Sequence, residues 1–301
     1  MATPEPALRT RIDALITDAW VLAALAAAIR DPSLSEEHGA VLGAAGYAEH
    51  TPDGWRLHPA CRTFLDGLPA PDAFAGQVAG ILRQAADAAD GRPAEEDDDA
   101  SFIVQGESSG ERMTEFLDLV AARVPEVGKV LHRPGLRFLD IGTGIGAIAA
   151  TVISRAPAAR AVGIDIAPRA LRLAEDHLIR RGVRDRVDLR LQDVAELADT
   201  AAYDLAWLPL GVLAPHATAQ ALPRILAALR PGGWLISATV LAGTDQPGSV
   251  REAVLRWRMA RRAITPWTPA ELAARLTATG FHSVTQIATP QNAMGLVAAQ
   301  A

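Results

Sequence analysis

FLDIGTGIG, residues 138–146, decides how this chain is read. An apolar run ends on a carboxylate, Asp140, and glycines follow at 142, 144 and 146. The run suits a buried strand, and the small-residue segment after it, AIAAT, suits a helix. Glycines let the backbone turn sharply between the two and approach a ligand without a Cβ in the way. In a doubly wound sheet, ligands bind beyond the carboxyl ends of the strands, at such a turn. Because Ala147 completes G-x-G-x-x-A, the glycines alone leave a dinucleotide open.

Strands and helices alternate outward from this point. Strand GLRFLDI leads to a helix over 145–156, strand RAVGID to a helix over 168–181, and strands RVDLRL and YDLAWL follow. Pro168 stands in the first turn of its helix and Gly182 at its end. A helix over 217–229, the turn PGG and strand WLISATV come next, then an insertion. Thr268-Pro-Ala-Glu271 opens another helix that stops at Gly280, and FHSVTQI and MGLVAA read as the last strands. Ser108-x-x-Glu111 has capping-box spacing and is expected to open a helix running to Val124. This alternation predicts an α/β fold, a mostly parallel doubly wound sheet with helices on both faces.

Upstream, a helical stretch over 8–30 and a short helix over 34–44 precede YAEHTPDGWRLHP, two extended pieces about Asp53-Gly54. Helices followed by a small hairpin predict a winged-helix-like domain over residues 1–90. The five acids Glu95–Asp99 mark an acidic linker over 91–104, and the second domain spans 105–301. DNA recognition is not expected of the first domain: it holds six arginines against twelve acids, where phosphate contact needs the opposite balance.

Net charge −6 and pI near 5.7 argue against a nucleic-acid partner. The single cysteine, Cys61, fits a reducing cytoplasm. The apolar stretch AWVLAALAAAI at 19–29 falls short of the ~20 residues a bilayer span needs, so no membrane partner is expected. No cluster of acids or histidines with metal-ligand spacing is seen, and no metal is expected.

Three acids narrow the ligand. Asp140 beside the turn would repel a pyrophosphate and welcome an ammonium or sulfonium. Asp165 ends the next strand, 19 residues after Gly146, where a carboxylate accepts two ribose hydroxyls. Asp193 follows the third strand and is placed to accept from an exocyclic adenine amine. A cationic nucleoside without phosphates fits this set, and S-adenosylmethionine is such a molecule.

FLDIGTGIG, VGIDIAPRAL, LQDV, YDLAWLP and LRPGGWL, in this order over 136–240, resemble the successive motifs of the class I S-adenosylmethionine-dependent methyltransferases. The N-terminal part is similar in architecture to the dimerisation domain of small-molecule O-methyltransferases. The resemblance implies a seven-stranded sheet whose last strand is antiparallel. By it, Gly142 and Gly144 pass close to the methionine part of the cofactor, and Asp165 holds the ribose. Ile166 packs on adenine, while Asp193 and the Val194 N–H contact its edge. Thr143, Gly146, Gln192 and Leu208 complete the candidate cofactor set. Gln105 joins it as a lid contact with Glu107, in FIVQGESSG.

The acceptor is read from the rim of the sheet. Methyltransferases of nucleic-acid amines and protein glutamines commonly carry Asn/Asp-Pro-Pro-aromatic after the fourth strand. Trp207-Leu-Pro-Leu-Gly211 stands here, apolar and without an amide or acid, which favours a hydrophobic small molecule. His216 is the candidate general base, with a helix-cap role as its alternative. Arg256, Arg258, Arg261 and Arg262 beside Trp257 and Trp267 form either a stacking lid or a helix with a charged outer face. The expectation is methyl transfer to an oxygen of a small-molecule acceptor in bacterial specialised metabolism, by a homodimer. Protein or RNA methylation, a non-catalytic cofactor-binding regulator and an NAD enzyme are the competing readings.

Overall fold

The computed structural model describes residues 4–31, 33–67, 71–93, 98–211, 215–242, 249–289 and 294–301. It divides into two compact units, Met1–Ser108 and Ser109–Ala301.

The first unit begins with α1 (Pro4–Arg30) and α2 (Glu36–Ala44), the latter capped by the Ser35 hydroxyl accepting the His38 N–H at 3.3 Å. Strands β1 (Ala48–Thr51) and β2 (Gly54–Leu57) pair antiparallel, with Thr51 opposite Gly54. The two-residue turn is therefore Pro52-Asp53, one position before the expected Asp53-Gly54, and Gly54 opens β2 at φ +108°. Helices α3 (Pro59–Asp66) and α4 (Pro71–Ala89) follow. Trp55 lies across two glycines of α2: a Cβ on Gly39 would stand 1.9 Å from the indole, and one on Gly43 2.4 Å. Ala24, Ala28, Leu42, Ala48 and Leu57 make the small core beneath. α1 leaves Leu8, Ile12, Leu15, Ile16 and Trp20 exposed. Residues Ala7–Arg30 of this helix are long and apolar enough to cross a membrane, more than the 19–29 stretch counted from the sequence.

Helix α5 (Asp99–Arg123) corrects two expectations. The linker over 91–104 is helical from Asp99, and Ser108 lies inside the helix instead of capping it. The cap is Asp98, whose carboxylate accepts the Ser101 N–H at 2.7 Å. Carboxylates at a helix start satisfy free N–H groups and favour the dipole, so the end of the acid run starts a helix.

In the second unit α6 (Pro125–Leu131) precedes the unit of the opening motif: β3 (Arg137–Ile141), α7 (Ala147–Ser154), β4 (Arg160–Asp165), α8 (Pro168–Arg180) and β5 (Val187–Leu191). Then come β6 (Tyr203–Pro209), α9 (Pro215–Ala228), β7 (Leu229–Thr239), α10 (Val250–Ala260), α11 (Pro269–Thr279), β8 (His282–Ala288) and β9 (Gly295–Gln300). The strands form one seven-stranded sheet in the order β5-β4-β3-β6-β7-β9-β8. Only β9 runs against its neighbours, as the family resemblance implies. The expected capping box at Thr268 and Glu271 is present, and Gly280 ends α11 in the left-handed conformation.

Side chains alternate between two cores. Phe138, Leu205, Trp207 and Ile236 face Met113 and Leu117 of α5, Val127 of α6 and Ile153 of α7. Leu139, Ala206, Leu208 and Leu235 face Ile225 of α9 and Leu272 and Leu276 of α11. Burial on both faces explains why these strands read as continuous apolar runs. At the amino-terminal edge of β6, Asp204 is 1 % exposed. It accepts from Arg133 at 2.8 Å, Arg230 at 3.0 Å and the Arg137 N–H at 2.9 Å, tying β3, β6 and β7 together away from the ligand side.

Candidate functional site

Chain order reverses between β3 and β6: β4 lies on one side of β3 and β6 on the other. The crevice beyond their carboxyl ends is thus the ligand position of this topology. Gly142, Gly144 and Gly146 line its floor at φ +65°, +55° and +73°. In this left-handed region a side chain is strained, so the three glycines are a backbone requirement. One more glycine, not singled out from sequence, serves the same turn. A Cβ on Gly163 in β4 would meet the Thr143 Oγ1 at 2.7 Å, so Thr143 folds back over β4 only because Gly163 is bare.

The carboxylates occupy the positive end of this turn. Asp165 Oδ2 accepts the Gly144 N–H at 3.0 Å, and its Oδ1 accepts the Ala167 N–H at 2.9 Å. Asp140 Oδ2 accepts the Thr143 hydroxyl at 2.9 Å and the Ala149 N–H, in the first turn of α7, at 3.1 Å. A pyrophosphate bound in dinucleotide fashion relies on free N–H groups at this helix start. Here protein carboxylates already hold two N–H groups of this turn, those of Gly144 and Ala149. The crevice floor is thus lined by carboxylates of the chain itself, Asp165 partly exposed and Asp140 buried.

Asp140 is fully buried. Burial pushes its carboxyl up to about 7, against the lowering by its bonds to Thr143 and Ala149, and Asp165 adds to the rise. Its Oδ1 meets no hydrogen-bond partner among the described residues.

At the rim of the crevice, Ile166 is 71 % exposed, and Leu191, which pairs with Asp165 in the ladder, is 61 % exposed. Two large apolar side chains standing in water beside a half-buried carboxylate suit the walls of a base and the acceptor for its sugar. Leu191 was not anticipated from sequence; an apolar residue at the open end of an edge strand is the signal that pointed to it. Asp193 caps a short turn of helix, its Oδ1 accepting the Ala195 N–H at 2.9 Å, so the capping role and an outward oxygen coexist. Val194 is buried beneath it, and the Gln192 N–H bonds the Asp165 carbonyl at 2.9 Å.

One expected residue does not reach the crevice as a side chain. Leu208 is fully buried in the core, and its carbonyl accepts the Ser237 hydroxyl at 2.8 Å, because position 208 falls on the inward phase of β6. Gln105 and Glu107 are exposed residues of α5, so the segment expected to be a lid is helical. His216 stands at the second position of α9, and its side chain lies outside the described residues. Arg256 of α10 bonds Glu252 at 2.7 Å and the Pro266 carbonyl at 3.3 Å, the charged-face alternative. Trp267 is buried with the Arg275 guanidinium 4.2 Å over its ring, whereas Trp257 is exposed. Among the described residues, no group of three acids, histidines or cysteines is placed to hold a metal ion.

Residues 138–233 match the family model described as a methyltransferase domain. A release factor glutamine methyltransferase of Cereibacter sphaeroides is 32 % identical over 125 residues, 40 % of this chain and 45 % of that protein. A ribosomal protein L11 methyltransferase of Azotobacter vinelandii is 37 % identical over 125 residues, 40 % of this chain and 38 % of that protein. The chain thus spans less than half the length of these curated relatives. Likeness in fold is wider. An O-methyltransferase family protein of Burkholderia thailandensis superposes with a TM-score of 0.70 at 14 % identity, covering 100 % of this chain and 98 % of that one. The mitomycin 7-O-methyltransferase MmcR gives 0.67 at 16 % identity, with 99 % of both chains covered. PigF, solved with S-adenosylhomocysteine, gives 0.60 at 20 % identity over 99 % of this chain and 100 % of that one. The likeness to these solved structures extends over nearly the whole chain and is one of fold.

Proposed function

We propose that the chain transfers the methyl group of S-adenosylmethionine to a hydroxyl of an apolar or aromatic small molecule. The observation that carries this reading is the filling of the Gly144 and Ala149 N–H groups by Asp165 and Asp140, which leaves a crevice for a cation and none for a pyrophosphate.

The residues present fit this cofactor. Asp165 keeps lone pairs for the two ribose hydroxyls after accepting Gly144 and Ala167, since each carboxylate oxygen accepts twice. Ile166 and Leu191 flank the adenine, and Asp193 with the Val194 N–H reads its edge. Gly142 and Gly144 let the methionine part lie against the backbone, within the field of Asp140. The cofactor supplies an activated methyl, so the chain's task is to hold the acceptor in line at near-attack distance and to exclude water. A hydroxyl acceptor must lose its proton, and His216 in the first turn of α9 is the candidate base.

The full-length likeness to O-methyltransferases supports a small acceptor. The curated relatives act on proteins by name, which favours a second reading, peptide methylation. β6 ends Trp207-Leu-Pro-Leu-Gly, however, with Leu210 buried at 4 % and no amide or acid to hold an NH₂ group. We read α1 as the contact with a second copy. Its exposed Leu8, Ile12, Leu15, Ile16 and Trp20 carry Arg9 before Asp18, so an antiparallel pairing places opposite charges together. Asp13 and Asp18 would be expensive inside a bilayer.

Calorimetry with S-adenosylhomocysteine, followed by incubation of the donor with hydroxylated aromatic acceptors and with a peptide library, tests the reading. Affinity for the nucleoside and a methyl mass increment on an aromatic hydroxyl are expected. No affinity ends the proposal, and a methyl increment on peptide alone replaces it with the second reading. Binding without transfer to either marks a regulator.

A further inference from the structure

Two buried polar atoms in the second unit have no hydrogen-bond partner among the described residues and face the same way: Asp140 Oδ1 and the Trp207 indole N–H. Asp140 is 0 % and Trp207 5 % exposed. They sit opposite each other in the ladder between β3 and β6, and laterally paired residues of a parallel sheet project to one face. Trp207 is otherwise surrounded by the first core, with Phe138, Leu205, Ile236 and Ala238. Leaving a buried acceptor or donor without its bond destabilises the fold. One is an acceptor and one a donor, so a single guest satisfies both only if it donates to the carboxylate and accepts from the indole. An ammonium or a metal ion cannot accept, and a carboxylate cannot donate. Water does both, and buried waters are found where two to four polar groups converge.

We propose that Asp140 and Trp207 together hold one water molecule, and that Trp207, through it, positions the Asp140 carboxylate facing the cofactor's cation. Trp207 is thus a positioning residue and not only core packing. The groups around Asp140 are few. The turn brings Thr143, α7 brings the Ala149 N–H and carries no charged residue, and β6 brings Trp207. The facing turn of α5 brings Gly110 and Met113, with Glu111 and Arg112 exposed. Asp165, at the end of β4, is the charged group that acts on it. With no cation against Asp140 among the described residues, the water and the indole dipole add to the Thr143 and Ala149 bonds in favouring its charged form.

The test reads the free protein, so it is independent of the proposed reaction. The chain's six tryptophans give six indole ¹⁵N–¹H resonances, and Trp207 is assigned by its loss in Trp207→Phe. We expect a cross-peak from the Trp207 indole proton to long-lived water, and a shift of that resonance as pH passes through the Asp140 titration. The shift is expected to vanish in Asp140→Asn with the water cross-peak kept. Absence of the water cross-peak overturns the proposal, whether the indole titrates by direct contact or not at all. The positioning role rests on the proposed cofactor and has its own arm. In Trp207→Phe, checked for folding by circular dichroism, the pH profile of S-adenosylmethionine affinity should move upward by ~0.5–1 unit, more than that of S-adenosylhomocysteine, which lacks the sulfonium. An unmoved profile removes the positioning role. Should the wild-type chain bind neither nucleoside, the function fails while the water arm still stands or falls alone.

Discussion

Asp165 and Gly144 join two strands at the crevice: the carboxylate at the end of β4 accepts the backbone N–H of the turn after β3 at 3.0 Å. One side chain therefore both shapes the glycine turn and faces the ligand. Asp165→Ala removes the ribose acceptor and frees the turn together. Affinity for S-adenosylhomocysteine is expected to fall by about 1–3 kcal/mol, as for lost charged hydrogen bonds. Calorimetry on the folded variant checks this, and an unchanged Kd would take Asp165 out of the site.

The fit of Thr143 against Gly163 makes a second prediction. A methyl at 163 would arrive 2.7 Å from Thr143 Oγ1 and 3.0 Å from its Cβ, so Thr143 must leave its bond to Asp140 or β4 must shift. Gly163→Ala is expected to cost ~1–3 kcal/mol of stability, the range of overpacked cores. Denaturant melts measure it. The same variant should weaken nucleoside binding, because the displaced Thr143 stands between Gly142 and Gly144.

Asp140 gives a pH dependence of stability. Its buried carboxyl titrates near 7, above the ordinary 3.8, so between these values the folded chain holds a proton that the unfolded chain has released. Stability due to this group is therefore greatest below about 4, falls as pH rises toward 7 and is level beyond. The slope is at most about 1.4 kcal/mol per pH unit for one proton. Asp140→Asn, which keeps an oxygen for Thr143 and Ala149, should flatten that part of the profile. Parallel slopes for variant and wild type over pH 4–7 would place the titration elsewhere.

The amount legible in advance differs by element. Strand and helix order in the second unit followed from apolar runs, glycine turns and the Thr268–Glu271 cap, all local signals. The start of α5 did not, because an acid run is equally a solvated linker and a helix cap. Asp98 chooses the second only when a helix lies downstream. Asp140, Asp165 and the three glycines were visible because strand ends and turns share one short stretch. Gly163 and Leu191 were not: their roles come from contacts across neighbouring strands, with Thr143 and beside Asp165, which spacing along one chain does not display. The core position of Leu208 was not legible either, since a strand buried on both faces has no alternation to read.

Asp204 carries the last prediction, remote from the crevice. Its carboxylate is almost fully buried, and it accepts from Arg133, Arg230 and the Arg137 N–H. The two arginines are about half exposed, at 54 % and 45 %, so water compensates part of their loss. The carboxylate also accepts the Arg137 backbone N–H at 2.9 Å. Asp204→Ala is expected to destabilise the fold by about 2–4 kcal/mol, somewhat under the 3–5 kcal/mol typical of breaking a fully buried pair. Asp204→Asn keeps an acceptor for Arg137 and should recover part of this. Because the group sits at the amino-terminal edge of β6, nucleoside affinity in the folded variant should match that of the wild type. A large loss of affinity without loss of stability would show that β3 transmits strain from Arg137 to Asp140.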